Sequence, residues 1–295
     1  MKLIIIAIAL LQSLSCFSQH DYDSLRKYSY YILENYENRD SDTIVSTARI
    51  TGTGYFIRQA DKLYFFTARH VLTGTDESCN RMIPPDASGI MNIALVNDAG
   101  IMQPEFLSLN VKAIRDTTAC NYLQVSPDII AYEINDPGNY PVYSIENFLP
   151  SYLPAERGKI ITFGYRDSLD AEDGSPISRE SIPMVTKSYR FYNNYQFYRG
   201  QENGVDSINY LVGIKDALFS IRELQGHSGS PAFIKDNKRN RFVFLGTLAG
   251  MNYNTNNLSF VKPLYIKRTL IKTQARSYKK LQILSFLNTV LFCQV

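Results

Sequence analysis

Residues 226–231 read GHSGSP and lead directly into the apolar run AFI at 232–234. Glycine accepts backbone conformations and close approaches that other residues resist, so Gly226 and Gly229 predict a tight turn around Ser228. A serine oxygen exposed at such a turn, with backbone N–H groups converging beside it, has the geometry that nucleophilic hydrolysis needs. Taken alone, the motif fits a glycine-rich turn between two strands equally well.

Two other segments carry candidate residues for the same chemistry. His70 follows an apolar strand end in FFTARHVL, and Asp128 comes just before an apolar run in SPDIIAYEI. Each of them alone is more typical of a packing residue or a strand start than of catalysis. Asp116 and Asp136 are rival acids, but they lie in polar, turn-like surroundings, where a hydrated carboxylate would orient nothing.

The chain around these motifs consists of short β-like runs separated by turn residues. The first set of predicted strands is 44–50, 54–58, 62–67, 93–96, 106–114 and 129–134. The second set has six or seven strands, at 159–163, 183–191, 208–214, 217–221, 232–234, 241–248 and 258–261. We therefore predict an all-β protein of two six-stranded antiparallel β-barrels followed by a C-terminal helix.

The ends of the chain differ from this β-rich body. The first 18 residues combine Lys2, an apolar run and small residues, which predicts a cleaved signal peptide and a secreted or periplasmic protein. A short helix is predicted over 24–37. The predicted organisation is a signal peptide at 1–18, an N-terminal segment at 19–43, the first barrel at 44–134, a linker at 135–157, the second barrel at 158–262, and a helix with a basic and apolar tail at 263–295.

Charge and cysteine content exclude other classes of protein. Of the 31 basic residues, one lies in the signal and seven lie in 261–295, which leaves 23 against 28 acidic residues in the body. A mildly acidic body argues against a nucleic-acid partner. Outside the signal, Cys79, Cys120 and Cys293 have no metal-ligand spacing, so we predict no metal site. Whether Cys79 pairs with Cys120 stays open.

Taken together, the order His70, Asp128, Ser228 makes the chain resemble the chymotrypsin-like (trypsin-like) serine peptidases. TARHVL is similar to the histidine box of that family, DIIAYEI to its aspartate box and GHSGSP to its serine box. TGTGYFI and FLGTLAG resemble the strand before the histidine and the strand along the substrate channel. The resemblance covers about residues 44–265. Because no cysteine flanks His70 or Ser228, it is nearest to the bacterial, disulfide-poor members.

The resemblance implies a fold of two β-barrels with the site between them and a mechanism that needs no cofactor. His70 would act as base and acid for Ser228, while Asp128 would hold the imidazole tautomer. The N–H groups of Gly226 and Ser228 would form the oxyanion hole. A protein or peptide is the implied substrate; Arg222 and Gln225 would lie near its side-chain pocket, and Thr247, Leu248, Ala249 and Gly250 would pair with its backbone.

The resemblance also gives His227 a place, and that place is not the base. In the digestive relatives this position is an aspartate that pairs with a new amino terminus after cleavage. His227 would give a cationic amine no counter-charge, so we predict no activation by that salt bridge. ARITG at 48–52 resembles the activation site but lies too close to His70, and we interpret it as an ordinary strand.

Two rival functions remain at this stage. The chain could be a catalytically silent relative that binds or scaffolds, or an esterase that uses the same triad.

The apolar end of the chain, 281–295, is too short for a comfortable membrane span; it would cap the barrel or bind a surface.

Overall fold

The computed structural model is built almost entirely from β-strands. It describes residues 24–40, 43–73, 88–96, 102–112, 128–135, 141–151, 158–165, 188–192, 210–214, 226–252, 257–267 and 270. The predicted signal peptide, residues 217–221, the three cysteines beyond the signal and the tail from 271 onward therefore lie outside the described residues. All of the strand pairings between the twelve named strands are antiparallel.

The first six strands form one sheet in the order β5-β4-β1-β2-β3-β6. Their bounds are β1 Tyr30–Asp40, β2 Thr43–Gln59, β3 Lys62–Thr67, β4 Ser88–Val96, β5 Met102–Lys112 and β6 Ile130–Ile134. A five-residue helix, α1 (Arg69–Thr73), follows β3. A hairpin turn joins β2 and β3, and Ala60 adopts a positive φ of 54° there.

The other six strands form a closed barrel in the order β10-β11-β12-β9-β8-β7. Their bounds are β7 Gly158–Thr162, β8 Ser188–Tyr192, β9 Tyr210–Ile214, β10 Pro231–Asp236, β11 Arg241–Asn252 and β12 Asn257–Val261. The strands of each set can be numbered 1 to 6 in chain order. In both sets strand 1 is then followed by strands 2, 3 and 6 on one side and by strands 4 and 5 on the other. In the described part of the first sheet only the pairing between its fifth and sixth strands is missing. The predicted all-β fold with two six-stranded units is confirmed.

Strands at the centre of each sheet are apolar on both faces because each face meets a different core. In β3, Leu63 and Phe65 pack inside the first sheet, whereas Tyr64 and Phe66 pack in a core between the two sheets. In β10, Phe233 reaches the same shared core, while its neighbours point into the barrel. A strand that is buried on both faces has a continuous apolar sequence, and this makes these strands easy to predict.

The helix predicted for residues 24–37 is wrong. A 3₁₀ turn covers Arg26–Tyr28, and β1 then runs from Tyr30 between β2 and β4 as part of the first sheet. Local preference for a helix is overridden by two non-local ladders, which bury the alternate residues Tyr30, Ile32, Glu34 and Tyr36. The first sheet therefore begins at Tyr30, within the N-terminal segment 19–43 that the sequence pattern places outside the first barrel.

Two segments outside the strands also contribute residues to the shared core. The predicted linker carries a 3₁₀ turn, Glu146–Phe148, and its Ile145 is buried, with its N–H donating to the Phe56 carbonyl at 3.0 Å. Residues 263–267 are helical, in agreement with the predicted helix start, and Ile266 and Leu270 pack into the same core. Within the described residues, none of the helices has the length and apolar character needed to span a membrane.

Glu34 is an acidic residue in the interior of the first sheet. Its side chain is fully buried, and Oε2 accepts a hydrogen bond from the Tyr36 hydroxyl at 2.9 Å. Oε1 has no hydrogen-bond partner among the described residues. Burial raises the pKa of Glu34 to about 8, against a smaller lowering by the Tyr36 bond, so the carboxyl group is protonated at neutral pH.

Glu34→Gln is expected to stabilise the protein at pH 8. The unfolded chain releases the Glu34 proton near its ordinary pKa of 4.5, whereas the folded protein keeps it up to about pH 8. The folded state therefore binds more protons across this window, and stability falls as pH rises through it. Glutamine keeps the shape without titrating. Urea unfolding should show a gain on the order of 3 kcal/mol at pH 8 that nearly disappears at pH 4.5.

Glu133→Gln is the matched control in the same sheet. Glu133 is partly exposed and bonds Lys62 Nζ at 2.7 Å, so its removal should cost about 1 kcal/mol or less at pH 8. A difference in stability between Glu34→Gln and the wild type that is the same at pH 4.5 and pH 8 would show that the buried group is not held protonated.

Candidate active site

The register between β3 and β6 brings His70 and Asp128 together. Thr67, the last residue of β3, pairs with Ile130, the first residue of β6. In an antiparallel pair the residues that follow the first strand lie beside those that precede the second. His70, in the first turn of α1, therefore lies next to Asp128 although 58 positions separate them.

Asp128 holds His70 by both carboxylate oxygens. Oδ1 accepts from the His70 backbone N–H at 2.8 Å, and Oδ2 lies 2.6 Å from the ring Nδ1. The Asp128 side chain is completely buried and that of His70 is 18% exposed. Because an ionised carboxylate only accepts, Nδ1 must carry the ring proton, and Nε2 of the neutral ring is the acceptor nitrogen.

That nitrogen points at Ser228. The distance between His70 Nε2 and Ser228 Oγ is 2.7 Å, so the serine hydroxyl can donate its proton to the ring. Ser228 is only partly buried. The structure thus joins the three residues predicted from the sequence in one hydrogen-bonded chain, which runs from a buried acid to an accessible hydroxyl.

Two glycines shape the turn that presents Ser228. Gly226 and Gly229 have φ values of 83° and 89°, a region that side chains disfavour. A Cβ atom on Gly229 would also collide with the Thr53 carbonyl oxygen and lie 2.6 Å from Thr67 Oγ1. The turn therefore packs directly on β2 and β3 of the first sheet, which explains why the serine box needs glycine after the serine.

His227 points away from this site. Its side chain is fully buried, and a Cβ atom on Gly164 would lie 2.7 Å from the ring. The base position beside Ser228 is occupied by the ring of His70. Residues 48–52, which resemble an activation site, lie within β2, where Ile50 pairs with Glu34.

The four residues of β11 that were predicted to pair with the substrate, 247–250, differ in their hydrogen bonding: the first two are already paired within the protein. Leu248 donates its N–H to the Ser230 carbonyl at 2.9 Å and accepts from Gly229 N at 2.8 Å, so both of its backbone groups serve the turn. Thr247 pairs on both sides, with β10 and with β12. Within the described residues, the pairing of β10 with β11 ends at Thr247. A Cβ atom at Gly250 would have nothing within 4 Å.

Several predicted residues cannot be placed. Arg222 and Gln225 lie outside the described residues. Ala249 is buried, and the Gly226 N–H and Ser228 N–H of the predicted oxyanion hole lie in the turn described above. Across the residues that are described, His, Cys, Asp and Glu side chains form no group of three or more able to hold a metal ion.

His70 has a raised pKa. Burial of the ring lowers the pKa, but the charge of Asp128 and its hydrogen bond raise it, and the net shift is upward from 6.5. The ring can act as a base only when it is neutral, so its capacity to take the Ser228 proton is lost as pH falls through this pKa.

We therefore expect the acid limb of a plot of kcat/KM against pH to have an apparent pKa above 6.5. A limb at or below 6.5 would mean that burial of the ring outweighs the effects of Asp128 on the His70 pKa. Hydrolysis of one substrate in buffers of constant ionic strength between pH 5 and 9 measures it.

The fold has counterparts among solved structures. The HL collagenase structure matches with a TM-score of 0.50 and 15% sequence identity, over 86% of this chain and 96% of the collagenase. A scabies mite inactivated protease paralogue matches with a TM-score of 0.49 and 14% identity, over 88% of this chain and 96% of its own. No protein-family model and no curated protein sequence matches the chain.

At this level of identity the collagenase likeness shows the fold alone. The chain has a chymotrypsin-like all-β fold of two six-stranded units. The bacterial, disulfide-poor subtype stays a prediction from the sequence.

Proposed function

We propose that this chain is an exported serine endopeptidase that hydrolyses peptide bonds through an acyl-enzyme. The single observation that carries the proposal is the hydrogen-bonded chain Asp128–His70–Ser228, with its two links of 2.6 and 2.7 Å. The ring tautomer that this arrangement requires is the one that can take a proton from serine. No cofactor is needed for this chemistry.

The first half of the reaction forms the acyl-enzyme. Ser228 Oγ attacks the substrate carbonyl carbon as its proton moves to His70 Nε2. The negative charge that develops on the carbonyl oxygen would be stabilised by the N–H groups of Gly226 and Ser228. Asp128 does not take up the proton, and its carboxylate stabilises the imidazolium. When the C–N bond breaks, His70 returns the proton to the leaving amine.

The second half repeats the same transfers with water. His70 Nε2 takes a proton from water as the water oxygen attacks the ester carbon of the acyl-enzyme. Collapse of the intermediate then breaks the bond to Ser228 Oγ, which regains its proton from His70, and the carboxylic acid product leaves.

The substrate backbone would bind along β11 beyond Leu248. In the described residues, β11 has β12 on one side there but no strand on the other, and a Cβ atom at Gly250 would meet open space. An extended peptide can add to such an edge as an extra strand, with backbone hydrogen bonds that do not depend on its sequence. We assign this role to Ala249 and Gly250, and Arg222 and Gln225 stay the candidates for side-chain selection.

Digestion of a peptide library by the purified chain tests the proposal, with new termini identified by mass spectrometry. Internal cleavage that disappears in Ser228→Ala supports an endopeptidase. Hydrolysis of activated esters without cleavage of any peptide would favour an esterase, and the absence of both activities would favour a silent binding protein.

A further inference from the structure

Three consecutive carbonyl groups of the Ser228 turn are held by hydrogen bonds. The Gly226 carbonyl accepts from Thr53 Oγ1 at 2.9 Å, and the Ser228 carbonyl accepts from Thr53 N at 2.9 Å. The His227 carbonyl between them accepts two bonds from Ser230, from N at 3.0 Å and from Oγ at 2.6 Å. The Thr53 hydroxyl therefore binds the peptide group before His227, and the Ser230 hydroxyl binds the peptide group after it.

The Ser230 hydroxyl acts on a peptide group that matters for catalysis. In a planar trans peptide the C=O and the following N–H point in opposite directions. Fixing the His227 carbonyl toward Ser230 therefore directs the Ser228 N–H the other way. That N–H is one of the two proposed oxyanion donors, and Ser230 controls its direction without touching the substrate.

The Thr53 hydroxyl is itself held in one orientation. Its oxygen accepts from Tyr165 N at 2.9 Å, so its single proton is directed to the Gly226 carbonyl. Thr53 is fully buried in β2 and belongs to the first sheet, whereas the turn belongs to the second. Gly226 has a left-handed φ of 83°, and glycine has little intrinsic preference that would hold its carbonyl in one direction.

We propose that Ser230, through the peptide group of the Ser228 N–H, and Thr53, which binds the Gly226 and Ser228 carbonyls on both sides of that peptide group, are positioning residues that keep the Ser228 oxyanion donor aimed at the reacting carbonyl. The inference rests on the proposed function. The turn is held by hydroxyl groups of the chain itself, so its active shape needs no bond from a new amino terminus.

The test uses Ser230→Ala and Thr53→Val, which remove each hydroxyl with little change of shape. Because the donors act on the transition state, kcat should fall about tenfold or more while KM changes by less than about twofold. Binding of a peptidyl trifluoromethyl ketone, which forms the tetrahedral adduct, should weaken by a similar factor. Thr53→Ser keeps the hydroxyl and should recover most of the wild-type kcat.

Thr162→Val is the matched control. Thr162 Oγ1 is buried and donates to the Pro231 carbonyl at 2.9 Å, the same type of bond just outside the turn. Its removal should leave kcat unchanged and lower the unfolding temperature by less than Thr53→Val does, because Thr53→Val also takes the acceptor from Tyr165 N. A purely structural role of Thr53 and Ser230 predicts instead that all three variants behave alike.

The outcomes separate this inference from the proposed function. A wild-type chain with no hydrolytic activity overturns both. An active wild type whose Ser230→Ala and Thr53→Val variants match Thr162→Val in kcat overturns only the inference. If Ser230→Ala does not fold, the comparison of Thr53→Val with Thr53→Ser decides: equal kcat values overturn it, and recovery by serine supports it.

Discussion

Ser228→Ala is expected to lower kcat/KM by about 10⁴-fold or more with little change in stability, a magnitude borrowed from the archetypal triad of this fold. The variant removes the hydroxyl oxygen that lies 2.7 Å from His70 Nε2, so no acyl-enzyme can form on this residue. The remaining groups can still bind substrate, and KM should change little. Steady-state hydrolysis of a cleaved peptide measures both constants.

Ser144→Ala provides the control for that variant. Ser144 Oγ accepts from the Arg58 backbone N–H at 2.7 Å in the linker region, away from the candidate site. Its kcat/KM should stay within about twofold of the wild type, as is usual for changes away from the reacting groups. Activity of Ser228→Ala within tenfold of this control would mean that another residue is the nucleophile.

Asp128→Asn is expected to lower kcat by about 10⁴-fold, again by analogy with that archetype. An asparagine can still accept from the His70 backbone N–H through its oxygen, but its NH₂ group then faces Nδ1. Nδ1 must become the acceptor, so the ring proton moves to Nε2 and points at Ser228. The ring can then no longer take the serine proton. Single-turnover kinetics with an activated ester isolate this chemical step.

The same substitution should also move the acid limb of the kcat/KM profile to lower pH. Both effects that raise the His70 pKa come from Asp128, and burial, which lowers it, is unchanged. Asp236→Asn is the matched control, since Asp236 is also buried and accepts from the Lys238 backbone N–H at 3.1 Å. Unchanged kcat in Asp128→Asn would contradict the assigned tautomer.

Much of the fold could be predicted because the central strands are apolar on both faces. The predicted strand 62–67 has the bounds of β3, and the segment after it carries His70, as the sequence indicates. The two predicted strands 44–50 and 54–58 are one strand, because Gly52 and Gly54 do not form a turn. A Cβ atom at Gly54 would collide with Phe65 and the Phe66 carbonyl, so this glycine allows close packing.

The N-terminal strand could not be predicted because its alternation is concealed. Glu34 occupies an inward position between Ile32 and Tyr36, where a charged residue normally indicates a solvent-facing side. The segment also becomes a strand only through pairing with β2 and β4, which no local pattern reveals. Buried acids break the two-residue period on which strand prediction depends.

The triad could be proposed from the order and surroundings of three residues, but the residues that hold its turn could not. Thr53 lies 173 positions from Gly226, and nothing in TGTGYFI marks its hydroxyl as a donor to another sheet. Ser230 looks like a small residue in place of a second glycine until its Oγ is seen 2.6 Å from the His227 carbonyl. Long-range hydrogen bonds of single hydroxyls leave no periodic signal in one sequence.

Labelling with a fluorophosphonate probe tests the central claim most directly, because the probe reacts with an activated serine and needs no knowledge of the substrate. We expect the wild-type chain to gain one probe adduct, located by peptide mass spectrometry on Ser228, and Ser228→Ala to gain none. No labelling of the folded wild type, or equal labelling of Ser228→Ala, would contradict the account.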